Sequence, residues 1–139
     1  MITLVANSES NFTNDYARYS ELLDENLIDS KPLVEFVKQY GFGVFDDVVF
    51  KINGELFGLL YFFGISDDEF FNFEKMNIKF KELVSTFVAL AMTVGDSLVC
   101  FSKLDKKIYY IDINEEEINP ILISNSINDF INHIKEENL

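Results

Sequence analysis

The sequence predicts an α+β fold in one domain over residues 1–139: a single, largely antiparallel, curved sheet of about five to six strands with helices packed on it, in the order αα-ββ-α-βββ-α. Three observations predict it. Apolar residues recur at helical spacing in four separate segments. Two long apolar runs meet at Asn53-Gly54, a two-residue hairpin signal. From Phe87 onward, three short apolar runs are separated only by turn residues, which is the pattern of a meander.

The first dozen residues turn polar after Val5 and read as loosely held. Tyr16, Tyr19, Leu22 and Leu23 then mark a first helix, with Thr13 or Asn14 as its cap. A second helix takes Ser30 as N-cap and Pro32 in its first turn, where a missing N–H costs nothing. Its core stripe is Leu33, Phe36, Val37 and Tyr40, and Gly41 supplies the stop. Val48–Ile52 and Glu55–Phe63 flank the Asn-Gly turn; the second of these is apolar on both faces and belongs inside the sheet. Ser66 and Glu69 read as a capping box that opens a third helix, with Phe70, Phe73, Met76, Phe80, Leu83 and Val84 as one stripe and Phe71 off it. The meander runs Phe87–Val94, Ser97–Ser102 and Ile108–Ile113, with turns at Gly95-Asp96 and at the basic stretch Lys103 to Lys107. Alternation in the last run predicts one covered and one wetter face. Ser126 caps a closing helix whose buried stripe is Ile127, Phe130, Ile131 and Ile134.

Composition bounds the function. Apolar residues make up 48% of the chain and 15 residues are Phe. Each fully buried Phe contributes roughly 1.5–3 kcal/mol, so the core needs no disulfide or metal staple. The one cysteine, Cys100, falls within a strand and reads as a small buried hydrophobe; it forms no internal disulfide and fits a reducing compartment. No signal segment or membrane-length apolar run is seen, and a cytoplasmic protein without a membrane partner is expected. Eleven basic against 24 acidic residues give a formal charge of −13. That balance opposes nucleic-acid binding, which needs Lys and Arg on phosphates, and favours a basic protein partner. The excess sits toward the two ends of the chain.

The residues offer little to catalysis. His133 is the one histidine, close to a helix C-terminus where cation character is favoured. One His and one Cys do not make a structural zinc site, and no carboxylate run has the spacing of an EF-hand loop. Gly41 and Gly43 lack the third glycine and following helix of a dinucleotide fingerprint. No cofactor, no metal and no catalytic residue is expected. Three acidic pairs or runs remain, Asp46-Asp47, Asp67-Asp68 and Glu115-Glu116-Glu117, as candidate partner-binding residues.

Particular residues give the chain a family likeness. Lys31-Pro32-Leu33-Val34-Glu35-Phe36-Val37-Lys38-Gln39-Tyr40-Gly41 is similar to the opening helix of the SUKH superfamily. Ala89 to Val94 followed by Gly95-Asp96, then Ser97–Ser102, resembles its strand–Gly-Asp–strand unit. Ile108-Tyr109-Tyr110-Ile111-Asp112 resembles the aromatic strand that follows, and Ser126-Ile127-Asn128-Asp129-Phe130-Ile131 the closing helix. Lys31 and Ile111 depart from the usual leucine and aromatic residue, and Lys106-Lys107 stand where glycine is common. The superfamily includes bacterial immunity proteins and a yeast cell-wall glucan synthesis regulator. The resemblance implies a non-enzymatic immunity protein that binds and neutralises a cognate toxin domain, such as a basic nuclease. An adaptor of the cell-wall regulator type and a carboxylate-based hydrolase are the alternatives.

Overall fold

Asn53-Gly54 sets the register of the first hairpin, and the sheet extends outward from it. In the computed structural model, which describes residues 1–81 and 85–139, β1 (Val48–Ile52) and β2 (Glu55–Phe62) pair antiparallel with Ile52 opposite Glu55. Asn53 and Gly54 both take positive φ, 51° and 82°, as a type I′ turn requires. Next come β3 (Phe87–Thr93), β4 (Leu98–Ser102), β5 (Ile108–Ile111) and β6 (Ile121–Ser124). The six strands lie in sequence order, and every neighbouring pair is antiparallel. The helices are α1 (Tyr16–Glu25), α2 (Ser30–Tyr40), α3 (Phe73–Phe80) and α4 (Ile127–Glu137). This is the α+β order read from the sequence, with β6 as a strand beyond the three-stranded meander.

Local caps differ in detail. Asp15 caps α1 by accepting the Arg18 N–H and Asp29 caps α2 by accepting the Lys31 N–H, so Thr13, Asn14 and Ser30 are not the N-caps. Carboxylates suit those positions because they meet the positive helix end. Gly41 ends α2 as expected, at φ 95° with its N–H donated to the Val37 carbonyl. Ser126 caps α4, accepting from the Asp129 N–H at 3.1 Å. The third helix starts one turn and a half late: Asn72 caps it, while Ser66 to Asn72 form turns. Leu83 and Val84, expected in its stripe, lie outside the described residues.

The first residues are tied down rather than loose. The Val5 N–H donates to Val44, Leu4 bridges Phe45, and the Ser8 hydroxyl donates to the Val5 carbonyl while accepting from the Val44 N–H.

Aromatic rings carry the core. Phe36 of α2 meets Phe45 and Phe62; Phe130 of α4 meets Phe50; Tyr19 of α1 meets Phe42 and Phe73 edge-on. Such offset and edge contacts are the favourable ring geometries. All five residues of β4 are buried, so the middle of the sheet is covered on both faces. In β5, Ile108 and Ile111 are buried and Tyr109 and Tyr110 half-buried, which replaces the expected alternation.

Curvature brings the edge strands β1 and β6 toward one another, and both lie against α4. The sheet stays open there, leaving backbone groups that need partners. Helix α4 provides them for β1. The Asn138 side chain accepts from the Val49 N–H at 3.0 Å, donates to the Val49 carbonyl at 2.8 Å, and also donates to Ile134 one turn back. His133 Nε2 accepts from the Lys51 N–H at 3.0 Å, and Lys51 Nζ pairs with Glu137 at 3.4 Å. Asn77 of α3 repeats the device on β3. It accepts from the Ala89 N–H, donates to the Ala89 carbonyl, and donates to Phe73 one turn back.

Replacing Asn77 or Asn138 with Ala strands a strand N–H and C=O together. Each change should lower unfolding stability by about 1–3 kcal/mol, read from urea midpoints at constant slope. Tyr19→Phe should act the other way. The Tyr19 hydroxyl is fully buried without a hydrogen-bond partner among the described residues, and its removal should leave stability unchanged or raise it by up to about 1 kcal/mol.

Candidate partner-docking surface

All seven acidic candidates are exposed, and all lie on loops. Asp46 and Asp47 join α2 to β1; the Asp46 N–H is held by the Thr3 carbonyl at 2.9 Å, and Asp47 takes φ 57°. Asp67 and Asp68 lie between β2 and α3, and Glu115, Glu116 and Glu117 between β5 and β6. Strand direction assigns them to ends of the sheet. Asp46, Asp47, Asp67 and Asp68 sit where β1 begins and β2 finishes; Glu115–Glu117 sit at the opposite end, where β5 finishes and β6 begins. The fold therefore does not gather the seven into one patch.

The Asp67-Asp68 loop is built largely by side-chain hydrogen bonds. Ser66 is buried; its hydroxyl donates to the Asn11 carbonyl and accepts from the Asp68 N–H. Asn72 donates to the Ser66 carbonyl at 2.8 Å, and the Gly64 N–H donates to Phe71. The ring of Phe71 packs on Phe12 at 5.0 Å and on Tyr61 at 4.7 Å. These contacts explain why no helix starts at Ser66: its hydroxyl is committed to the N-terminal segment, and the chain needs a turn to bury Phe71.

They also exchange the roles of two rings. Phe71, expected off the buried stripe, is half-buried in an aromatic cluster. Phe70, expected in the stripe, is 55% exposed. Its backbone is nonetheless fixed at both ends: the Asp68 carboxylate accepts the Phe70 N–H at 2.9 Å, and the Tyr61 hydroxyl donates to the Phe70 carbonyl at 3.1 Å. Burial, with Asp68 and Asp96 nearby, pushes the Tyr61 phenol up to about 12. Asp96 belongs to the β3–β4 turn, which the sequence marked only as a turn, at φ 63°. Asp68 and Asp96 both act electrostatically on Tyr61, whose hydroxyl holds the Phe70 carbonyl; of these, sequence reasoning had singled out Asp68 alone for partner binding.

The concave features are shallow. A hollow of about 330 Å³ beside Phe70 is lined by Glu69, Lys75, Met76, Ile78 and Lys79. A groove of about 300 Å³ runs between α1, α3 and β3, with Glu25 and Glu74 on its wall; both carboxylates pair with Arg18, the one arginine, at 3.7 and 3.5 Å. A polar cleft of about 380 Å³ contains Asp129, His133 and Glu136. His133 is half-buried there, with Nε2 already accepting from Lys51. Among the described residues, no group of three or more His, Cys, Asp or Glu side chains is arranged to hold a metal. No helix among the described residues is long and apolar enough to cross a membrane. Cys100 is fully buried, and burial pushes its thiol above the ordinary range.

Tyr61 gives a pH test. A phenol held protonated to about 12 in the fold, against about 10 when unfolded, adds stability that is complete below pH ~10 and is lost as pH rises through about 12. The stability difference between wild type and Tyr61→Phe, from denaturant midpoints, should therefore shrink between about pH 9 and about pH 12.

The comparisons add no relative. No protein-family model matches the chain, and none of the curated proteins or solved structures matches it.

Proposed function

We propose that this chain is an immunity-type protein that binds a cognate toxin domain and neutralises it through its acidic exterior. The observation that carries the reading is the placement of Asp46, Asp47, Asp67, Asp68, Glu115, Glu116 and Glu117: every one is exposed, on a loop, on a chain of formal charge −13. Exposed carboxylates on rigid loops raise the encounter rate with a basic surface and disfavour like-charged competitors. The SUKH-like motifs support the same reading, since immunity proteins of that superfamily act by docking. A nuclease toxin fits as the partner class because a phosphate-binding surface is basic. The partner is a protein, the site of action cytoplasmic, and no bond is made or broken by this chain.

The test begins with the gene directly upstream, where a secreted protein with a variable C-terminal domain is expected; that domain is then co-expressed with this chain. Growth rescue and a complex that survives gel filtration are expected. Replacing the seven acids together by Asn or Gln should cut the association rate at low salt by about tenfold or more and flatten its dependence on ionic strength. Lack of both rescue and complex would sink the proposal. Rescue with an unchanged rate in the neutralised variant would keep the toxin and discard the acidic steering.

A further inference from the structure

One feature combines display, rigidity and charge. Phe70 is the one aromatic among the exposed large hydrophobic residues described; the others are Met, Val, Leu and Ile. A lone exposed phenylalanine on a floppy loop would need no explanation. Phe70 is not on such a loop. Its N–H is held by the Asp68 carboxylate and its carbonyl by the Tyr61 hydroxyl, which stands on Phe71 and Phe63. Ser66 and Asn72 pin the rest of the turn. The ordering entropy that binding normally costs at an interface loop is already spent in the free protein.

We infer that Phe70 is the anchor of the docking surface, inserted into an apolar recess on a partner protein whose neighbouring side chains are Lys or Arg. The inference deepens the docking reading above and selects one of its three acidic loops. Charge complementarity names the partner. Asp67, Asp68 and Glu69, all exposed, run directly up to Phe70. On the opposite side Lys79 lies 5.8 Å from the Phe70 ring centre, and Lys75 and Lys79 edge the adjoining hollow. Three consecutive acids before Phe70 outnumber the two lysines of the adjoining hollow, so the basic residues of the partner meet the acidic run. Buried aromatic side chains at the centre of an interface carry a large share of binding energy, and exposed charges around them steer more than they hold. Asp46, Asp47 and Glu115–Glu117 then act only through the long-range field.

The experiment uses the full chain against two probes: a displayed library of random twelve-residue peptides, and the upstream toxin domain. Enriched peptides should combine an aliphatic or aromatic residue with flanking Lys or Arg. Phe70→Ala should weaken them about 30-fold or more. Asp67→Asn with Asp68→Asn should weaken them several-fold and reduce the salt dependence, since Asn still accepts the Phe70 N–H. Gln at Glu115, Glu116 and Glu117 should change little. Phe70 is exposed, so its Ala variant should keep the wild-type unfolding midpoint, which serves as the folding control. Peptides bound equally by Phe70→Ala, or enrichment of acidic peptides, would overturn the anchor. So would self-association of the wild type that Phe70→Ala abolishes, since the recess would then lie on a second copy. Toxin binding indifferent to Phe70→Ala removes the anchor and keeps the immunity reading. Phe70-dependent peptides with no toxin binding keep the anchor and remove that reading.

Discussion

An open sheet with this much curvature has to satisfy the backbone at its edges, and the molecule depends on how that is done. A full barrel would pair β1 with β6 and leave no edge. Here the ladder stops short, and helix α4 lies against the seam. Asn138 offers Val49 the same donor and acceptor that a neighbouring strand would, and His133 takes the Lys51 N–H. The arrangement does two jobs. It fixes α4 against β1 by direction-specific contacts added to the contact between Phe130 and Phe50. It also covers an edge that would otherwise invite another chain to add a strand. Asn77 meets the same need at Ala89, close to where β2 leaves β3. Both asparagines also bond back to the carbonyl one helical turn earlier, so each side-chain amide is held from the helix while it serves the strand.

This dependence explains which parts of the fold were legible in the sequence. Asn53-Gly54, Gly41 and Ser126 act through their own backbone or the next few residues, and each behaves as read. The stripes of α1, α2 and α4 are equally local, because burial of one helix face is periodic. Failures occur where a distant segment wins. Ser66 and Glu69 have the residue types and spacing of a capping box. The Ser66 hydroxyl is instead claimed by Asn11, 55 residues away, and no local pattern signals that. The same displacement moves Phe70 out of the stripe and Phe71 into the aromatic cluster. Strand β6 escaped notice for a different reason: Ile121 and Leu122 are both exposed, so the strand is an edge without the period-two burial that pattern reading needs.

The candidate surface divides in the same way. Charge is a composition property, so the seven carboxylates were visible at once, and their exposure is what the sequence implied. Their arrangement was not visible. Asp96 and Asp68, on loops at opposite ends of the sheet, both act on Tyr61, a convergence that one-dimensional spacing does not carry.

A rigid exposed ring also explains why the turn between β2 and α3 is so heavily constrained. Seven residues from Ser66 to Asn72 use the Ser66, Asp68 and Asn72 side chains to bond backbone groups, and borrow the Tyr61 hydroxyl from β2. Burying Phe71 requires only that its ring reach Phe12 and Tyr61. It does not require both backbone groups of Phe70 to be held as well. A loop whose sole task was to connect β2 to α3 could leave those groups to water, which satisfies an exposed N–H or carbonyl well. Holding them fixes the backbone that carries the Phe70 ring, which lies beside Lys79 and stays more than half exposed.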